Sequence, residues 1–155
     1  MLEEVKERVK SKFGFESETY DINMILIHAT RERIRDLMRF LKENGFSYAH
    51  TVSVVDYTPK GKGFQVNYIV EDVFNKKLVM VRVELPPENP SIPSVYDIFP
   101  PLQPHEREAW EMFGVEFVGH PRLEVMLLPE WAKGWFPLRK SYDFKKHRKP
   151  SKEKK

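Results

Sequence analysis

GFSYAHTVSVVDYTPKGKGFQVNYIVEDVFNKKLVMVRVEL, residues 45–85, is the stretch that decides the fold. Phe64, Val66, Tyr68 and Val70 alternate along Phe64–Asp72. Val79, Val81, Val83 and Leu85 alternate along Lys77–Leu85, with Arg82 and Glu84 turned the other way. Period-two alternation gives each segment one apolar face, which predicts two strands. Thr58-Pro59-Lys60-Gly61-Lys62-Gly63 is a turn cluster, so Phe46–Tyr57 reads as a third strand ahead of it. A tight turn near Asn75-Lys76 joins the other two. Strands joined by short turns form an antiparallel meander.

The layer that covers this sheet lies just upstream. Ile34, Leu37, Met38 and Leu41 fall at i, i+3, i+4 and i+7, the apolar stripe of a helix over Thr30–Asn44. Thr30 suits its N-cap, with Arg33 where a capping box would place Glu, and Gly45 suits its C-terminal cap. Further upstream, Tyr20–Ala29 reads as a strand and Leu2–Lys12 as an exposed, charged helix. A helix stripe and one sheet face bury each other, so the expected fold is a two-layer α+β domain with a mainly antiparallel or mixed sheet.

Downstream the composition changes. Seven of the twelve prolines fall between Pro86 and Pro104. Proline fixes φ and removes ladder donors, so this stretch is not a central strand. Its apolar members, Ile92, Val95, Tyr96, Ile98, Phe99 and Leu102, predict an extended connector packed against the body, with a helical turn within Ser94–Phe99. A second helix spans Pro104–Phe113, with proline at its first position and Gly114 just past its end. Val115–Phe117 reads as extended, Gly119-His120-Pro121 as a turn, and Leu123–Leu128 as an apolar run. The division expected is a two-layer domain over residues 1–118, including the helix at 104–113, and a C-terminal arm over 119–155 whose end is flexible.

Composition bounds the chemistry. The 155 residues contain no cysteine, which excludes disulfides, thiolate zinc sites and cysteine-ligated iron–sulfur clusters within them. No segment has the length and hydropathy of a membrane span, and Met1–Lys12 lacks the apolar core of a signal peptide. The expectation is a cytoplasmic protein, peripheral to the cell membrane through partners. Net charge is +3, but Arg139–Lys155 alone carries nine basic and two acidic residues. A basic tail therefore follows a mildly acidic body. Charged residues at 32%, mostly Lys and Glu, with no cysteine point towards a hyperthermophilic source.

Within the second helix, Ala109, Trp110 and Phe113 share a face with Glu106. A carboxylate on an apolar stripe needs a partner or a raised pKa. Two readings are open. Glu106 can fold back on the amides of its own helix start, or it can pair with an arginine brought in from the arm, Arg139 first.

The run His105-Glu106-Arg107-Glu108-Ala109-Trp110-Glu111-Met112-Phe113-Gly114 resembles the signature of the thirty-kilodalton subunit family. That family comprises the thirty-kilodalton subunit of NADH:quinone oxidoreductase and its homologues in energy-converting membrane-bound hydrogenase-type complexes. Pro93–Pro100, Gly119-His120-Pro121-Arg122-Leu123 and Pro137-Leu138-Arg139-Lys140-Ser141-Tyr142 resemble the flanking segments, in the same order. Glu111 stands where the family usually has Asp, and Trp131–Phe136 is longer and more aromatic than the pattern. The short chain and its composition tilt the reading towards an archaeal hydrogenase-like or sulfur-reducing complex.

The resemblance implies an assembly subunit with no flavin, cluster, quinone or other cofactor and no active site of its own. Its implied partners are a hydrogenase-large-subunit-like subunit and iron–sulfur subunits. The residues carried over as signature, interface or ion-pair positions are Glu106, Arg107, Glu108, Trp110, Phe113, Gly114, Gly119, His120, Pro121, Pro137, Leu138, Arg139 and Lys140.

Other chemistries fare worse. His105, Glu106, Glu108 and His120 do not make a metal site, because only His105 and Glu108 share a helix face. Asp56 and Glu71 lie near strand ends and show no convergence into an acid–base pair. No phosphate loop or dinucleotide fingerprint is present. The competing class is a small basic nucleic-acid-binding module, with Lys145, Lys146, Arg148, Lys149 and Lys152 on phosphates and Trp131, Trp135 and Phe136 as stacking surfaces.

Overall fold

Alternation translates directly into the sheet. The computed structural model describes residues 1–145. Strands β1 (Ser17–Asp21), β2 (Met24–Ala29), β3 (Tyr48–Asp56), β4 (Phe64–Asp72) and β5 (Lys77–Leu85) form one sheet in the order β1-β2-β5-β4-β3. The meander β3-β4-β5 is antiparallel, and β4 and β5 have the predicted bounds. The β2–β5 pairing is parallel, so the sheet is mixed. Phe64, Val66, Tyr68, Val70, Val79, Val81, Val83 and Leu85 are all buried on the core face.

Tyr20–Ala29 is not one strand. Asp21 accepts the Ile22 N–H at 2.7 Å, and the chain turns at Ile22-Asn23 into an antiparallel hairpin. The aspartate offers the backbone a local partner, and such turn chemistry overrides the apolar run that follows.

Helices α1 (Leu2–Phe13) and α2 (Ile34–Glu43) bury their apolar residues in the same core cluster as the sheet. Ile34, Leu37, Met38 and Leu41 are fully buried, each stabilising the fold by about 1.5–3 kcal/mol. Helix α1 is less exposed than its charge suggests, since Val5 and Val9 join the core. At the start of α2 the chain passes through a 3-10 turn, Arg31–Arg33, and the Thr30 side chain makes no capping bond. Its end is as expected. Gly45 takes φ 99°. Its N–H reaches Lys42 O at 3.3 Å and the Phe46 N–H reaches Leu41 O at 3.0 Å, which is a Schellman motif.

The proline-rich connector is packed, as its apolar residues require. Ile92, Val95, Ile98, Phe99 and Leu102 are buried. Its strand β6 (Ser91–Pro93) pairs in parallel with β7 (Glu116–Val118), a three-residue ladder apart from the main sheet. The helical turn is present, with Phe99 N–H on Val95 O at 2.9 Å. Helix α3 (Gln103–Phe113) lies between these two short strands in sequence and packs beside β3. From residue 119 to 145 the only helical element is one 3-10 turn, Glu130–Ala132, and there is no strand. The end of the arm, expected to be flexible, lies outside the described residues from 146 onward. No helix among the described residues is long and apolar enough to cross a membrane.

Candidate functional site

Helix α3 starts with proline in its first turn and stops at Gly114, whose φ of 75° and N–H to Trp110 O at 2.8 Å close the last turn. Two of its glutamates, Glu106 and Glu111, are almost wholly buried. They stand five residues apart, about 140° around the helix, so they face different neighbours.

Glu106 faces the connector. Its carboxylate accepts the Ser94 hydroxyl and the Val95 N–H, the latter at 2.9 Å. Neither expected partner is used. The turn holding Ser94 reaches the carboxylate from outside the helix, which leaves the helix-start amides and Arg139 to other roles. Burial pushes the Glu106 pKa up to about 7 despite these two donors. The Tyr68 hydroxyl, also buried, has no hydrogen-bond partner among the described residues. The turn is fixed from its far side by Arg35. That guanidinium spans Asp97 at 2.7 and 2.6 Å and donates to Ser94 O at 2.6 Å. Its donated bonds hold the Asp97 carboxyl down at about 2.

Arg139 serves the other end of the helix. Its Nε donates to Phe113 O at 2.5 Å, and Leu138 N–H donates to Met112 O at 3.1 Å. These are carbonyls that a helix C-terminus leaves without intrahelical donors, and a cation there also meets the helix dipole favourably. The guanidinium lies 5.1 Å from the Phe64 ring centre and 4.5 Å from that of Phe136. A Cβ on Gly114 would come 2.5 Å from Arg139 Nη2 and 2.7 Å from the Phe136 ring, so glycine is needed for space as well as for φ. Lys140 N–H then donates to Asp56 at 2.7 Å, at the end of β3. Burial tends to raise the Asp56 pKa, but the Thr58 and Lys140 hydrogen bonds hold it below its usual value. The helix and the Pro137–Lys140 segment are thus joined, through helix-end carbonyls and stacked rings instead of a Glu106–Arg139 pair.

Glu111 and Arg107 share a third face and grip residues 124–128. Glu111 accepts the N–H groups of Met126, Leu127 and Leu128 at 2.6–3.1 Å. Arg107 donates to Glu124 O at 2.6 Å and Val125 O at 2.7 Å. The anion takes amides and the cation takes carbonyls, along one irregular segment. The apolar run Leu123–Leu128 is therefore no strand, and Met126 and Leu127 stay 41% and 58% exposed. Pattern reading marks Arg107 but passes over Glu111, which lies off the apolar stripe. The signal that could have found it is the run itself, since an irregular backbone there needs acceptors from somewhere.

The remaining predicted residues scatter. Trp110 and Phe113 pack partly buried against the core. His105 Nδ1 lies 3.3 Å from Thr51 Oγ1. Glu108 is exposed, as are Gly119, Pro121 and Leu138. His120 donates from Nε2 to Gln103 O at 2.9 Å and accepts the Arg122 N–H at 3.0 Å on Nδ1. Among the described residues no group of three or more His, Asp or Glu is placed to hold a metal ion. Glu71 pairs with His50 at 2.6 Å, while Asp56 sits at the opposite end of the β3–β4 ladder, so the two carboxylates do not converge.

The family described as the 30-kDa subunit of respiratory-chain NADH dehydrogenase matches residues 27–148. The corresponding subunit of the NADH-quinone oxidoreductase of Roseiflexus castenholzii is 36% identical over 117 residues, 74% of this chain and 67% of that protein. NADH-quinone oxidoreductase subunit 5 of Thermus thermophilus is 33% identical over 150 residues, 91% of this chain and 72% of that protein. Among solved structures, a trypsin-resistant fragment of Nqo5 superposes with a TM-score of 0.71 at 30% identity, covering 79% of this chain and 98% of the fragment. A chain of the membrane-bound sulfane sulfur reductase, an archaeal respiratory membrane complex, superposes with a TM-score of 0.84 at 25% identity, covering 99% of this chain and 97% of that one. The nucleic-acid reading finds no support in these relatives. Trp131 and Trp135 pack edge to face on each other, at 5.2 Å and 67°. Of the five basic residues in that reading, four lie outside the described residues.

Proposed function

The chain belongs to the family of the 30-kDa subunit of respiratory-chain NADH dehydrogenase, and on that premise we propose that it is an assembly subunit of a membrane-bound respiratory oxidoreductase. In this reading it carries no redox group. It holds a hydrogenase-large-subunit-like subunit and iron–sulfur subunits in register, on the cytoplasmic side of the membrane. Residues 119–155 are the docking arm.

The grip of Arg107 and Glu111 on residues 124–128 carries the reading. A free-standing fold gains nothing from fixing a backbone while leaving Met126 and Leu127 in water. Leu138, anchored next to Arg139, is likewise 53% exposed. Ordered apolar side chains on an exposed segment are the composition of an interface core, and fixing them beforehand lowers the entropy cost of docking. The superposition on the sulfane sulfur reductase chain covers nearly the whole length, arm included. That supports a complex of the sulfur-reducing or hydrogenase type as the parent assembly.

Native purification from the source membranes tests this. Co-elution in mild detergent with a hydrogenase-like large subunit and iron–sulfur proteins is expected. Migration as a free monomer overturns the proposal.

A further inference from the structure

Helix α3 runs beside β3 without sealing it. β3 is the last strand of the sheet, so one edge lacks a partner strand. Along Thr51–Val55 no backbone hydrogen bond is made on that side among the described residues. Unpaired edges invite another strand, and folds ordinarily guard them with charge, proline, shortness or a bulge. The opposite edge, β1, is guarded: it has five residues and includes Glu18 and Asp21. β3 has nine residues, with its bulge near the start, at His50 between Ala49 and Thr51. Beyond the bulge it reads Thr51-Val52-Ser53-Val54-Val55, with four β-branched residues, no charge and no proline. That is strong strand-pairing sequence on a free edge.

A groove of about 310 Å³ lies between Thr51–Val54 and the α3 face bearing Glu108 and Met112. The His105–Thr51 contact stands towards one end, and Leu138 towards the other. Glu108 is exposed and makes no hydrogen bond or ion pair among the described residues. A strand edge with a helix alongside and a groove between them is the geometry that accepts an extended peptide. Main-chain bonds then supply affinity, and the groove selects side chains.

We propose that the free edge of β3 takes an extended segment of another subunit of the parent complex as a sixth strand. An apolar or β-branched side chain of that segment seats against Met112 and Leu138, and a lysine or arginine meets Glu108. The inference rests on the reading of the chain as a subunit, but it uses a different surface from residues 124–128.

Hydrogen exchange on the intact complex, compared with the full chain alone, is the test. Amides within residues 51–55 should exchange at least tenfold more slowly in the complex. Ser53→Lys places a charge on the edge at an exposed position. It should lower recovery of the complex about tenfold while the isolated variant melts with the parent chain, and Ser53→Thr should restore recovery. Glu108→Lys should act in the same direction, with Glu108→Gln intermediate. Protection confined to residues 124–128, with residues 51–55 unchanged, overturns this proposal and leaves the docking arm standing. Protection of residues 51–55 in a dimer of the isolated chain assigns the edge to a second copy and also overturns it. Absence of any complex removes both readings together.

Discussion

Helix α3 carries a buried carboxylate towards each end, and the two regions those carboxylates organise obey different rules. Glu106 sits inside the core, where one hydroxyl and one amide do not fully replace water, and the proton competes for it near neutral pH. Glu111 sits under a surface segment and gathers three backbone amides. Burial alone does not say what an acid is for. The identity of the donors does: Glu106 ties core to connector, and Glu111 ties the body to the segment assigned to docking.

The sharpest way to break this contrast is Glu111→Ala. It leaves three amides without their acceptor, each charge-assisted bond contributing about 1.5–3 kcal/mol. A local destabilisation of about 3–5 kcal/mol is expected, read as rapid proteolysis at residues 124–128 and loss of co-purifying subunits, with a smaller fall in the melting temperature of the core. Resistance to protease equal to the parent chain would end the clamp interpretation.

Next comes the pH response of Glu106. Its folded pKa, about 7, lies above the ordinary glutamate value of 4.5. The folded state therefore favours the protonated acid. The associated stability is complete below about pH 4.5 and is lost as pH rises through about 7, about 3 kcal/mol at 1.4 kcal/mol per unit. Glu106→Gln should flatten that part of the stability profile and make the protein more stable than the parent at pH 8. An unchanged slope in denaturant titrations between pH 5 and 8 would show that the carboxyl does not titrate there.

Arg107→Ala removes two donors to carbonyls that water can partly satisfy, so about 1–2 kcal/mol is expected, again confined to the segment. Combined with Glu111→Ala it should cost less than the sum, because both hold one backbone run. Full additivity would make them independent contacts. The smallest effect is Ser94→Ala, about 1 kcal/mol, accompanied by a further rise in the Glu106 pKa measurable by carboxyl-selective NMR.

Legibility in the sequence follows the range of the interaction. β4 and β5 have the bounds that alternation predicts, because Phe64 to Val70 and Val79 to Leu85 state their own faces. Helix α2 is readable from the Ile34 stripe and Gly45 for the same local reason. The β1–β2 hairpin is hidden because a single Asp21–Ile22 hydrogen bond outweighs an apolar run. The presence of a partnered acid at Glu106 is legible, but its partner is not. Ser94 lies twelve residues away across a proline-rich turn whose path no periodicity encodes. Arg139 is legible as an anchor, but spacing assigns it the wrong acceptor, since stacked Phe64 and Phe136 and a helix-end carbonyl leave no mark there.

The grip on residues 124–128 touches main-chain atoms alone. It therefore reads no side chain, and any residue except proline at 126–128 can be held as firmly as the present one. The outward groups are free to drift with whatever surface they meet, while the mount beneath them stays constant. Such a segment behaves as an interchangeable address label, and one scaffold can be redirected to another assembly by rewriting a few letters.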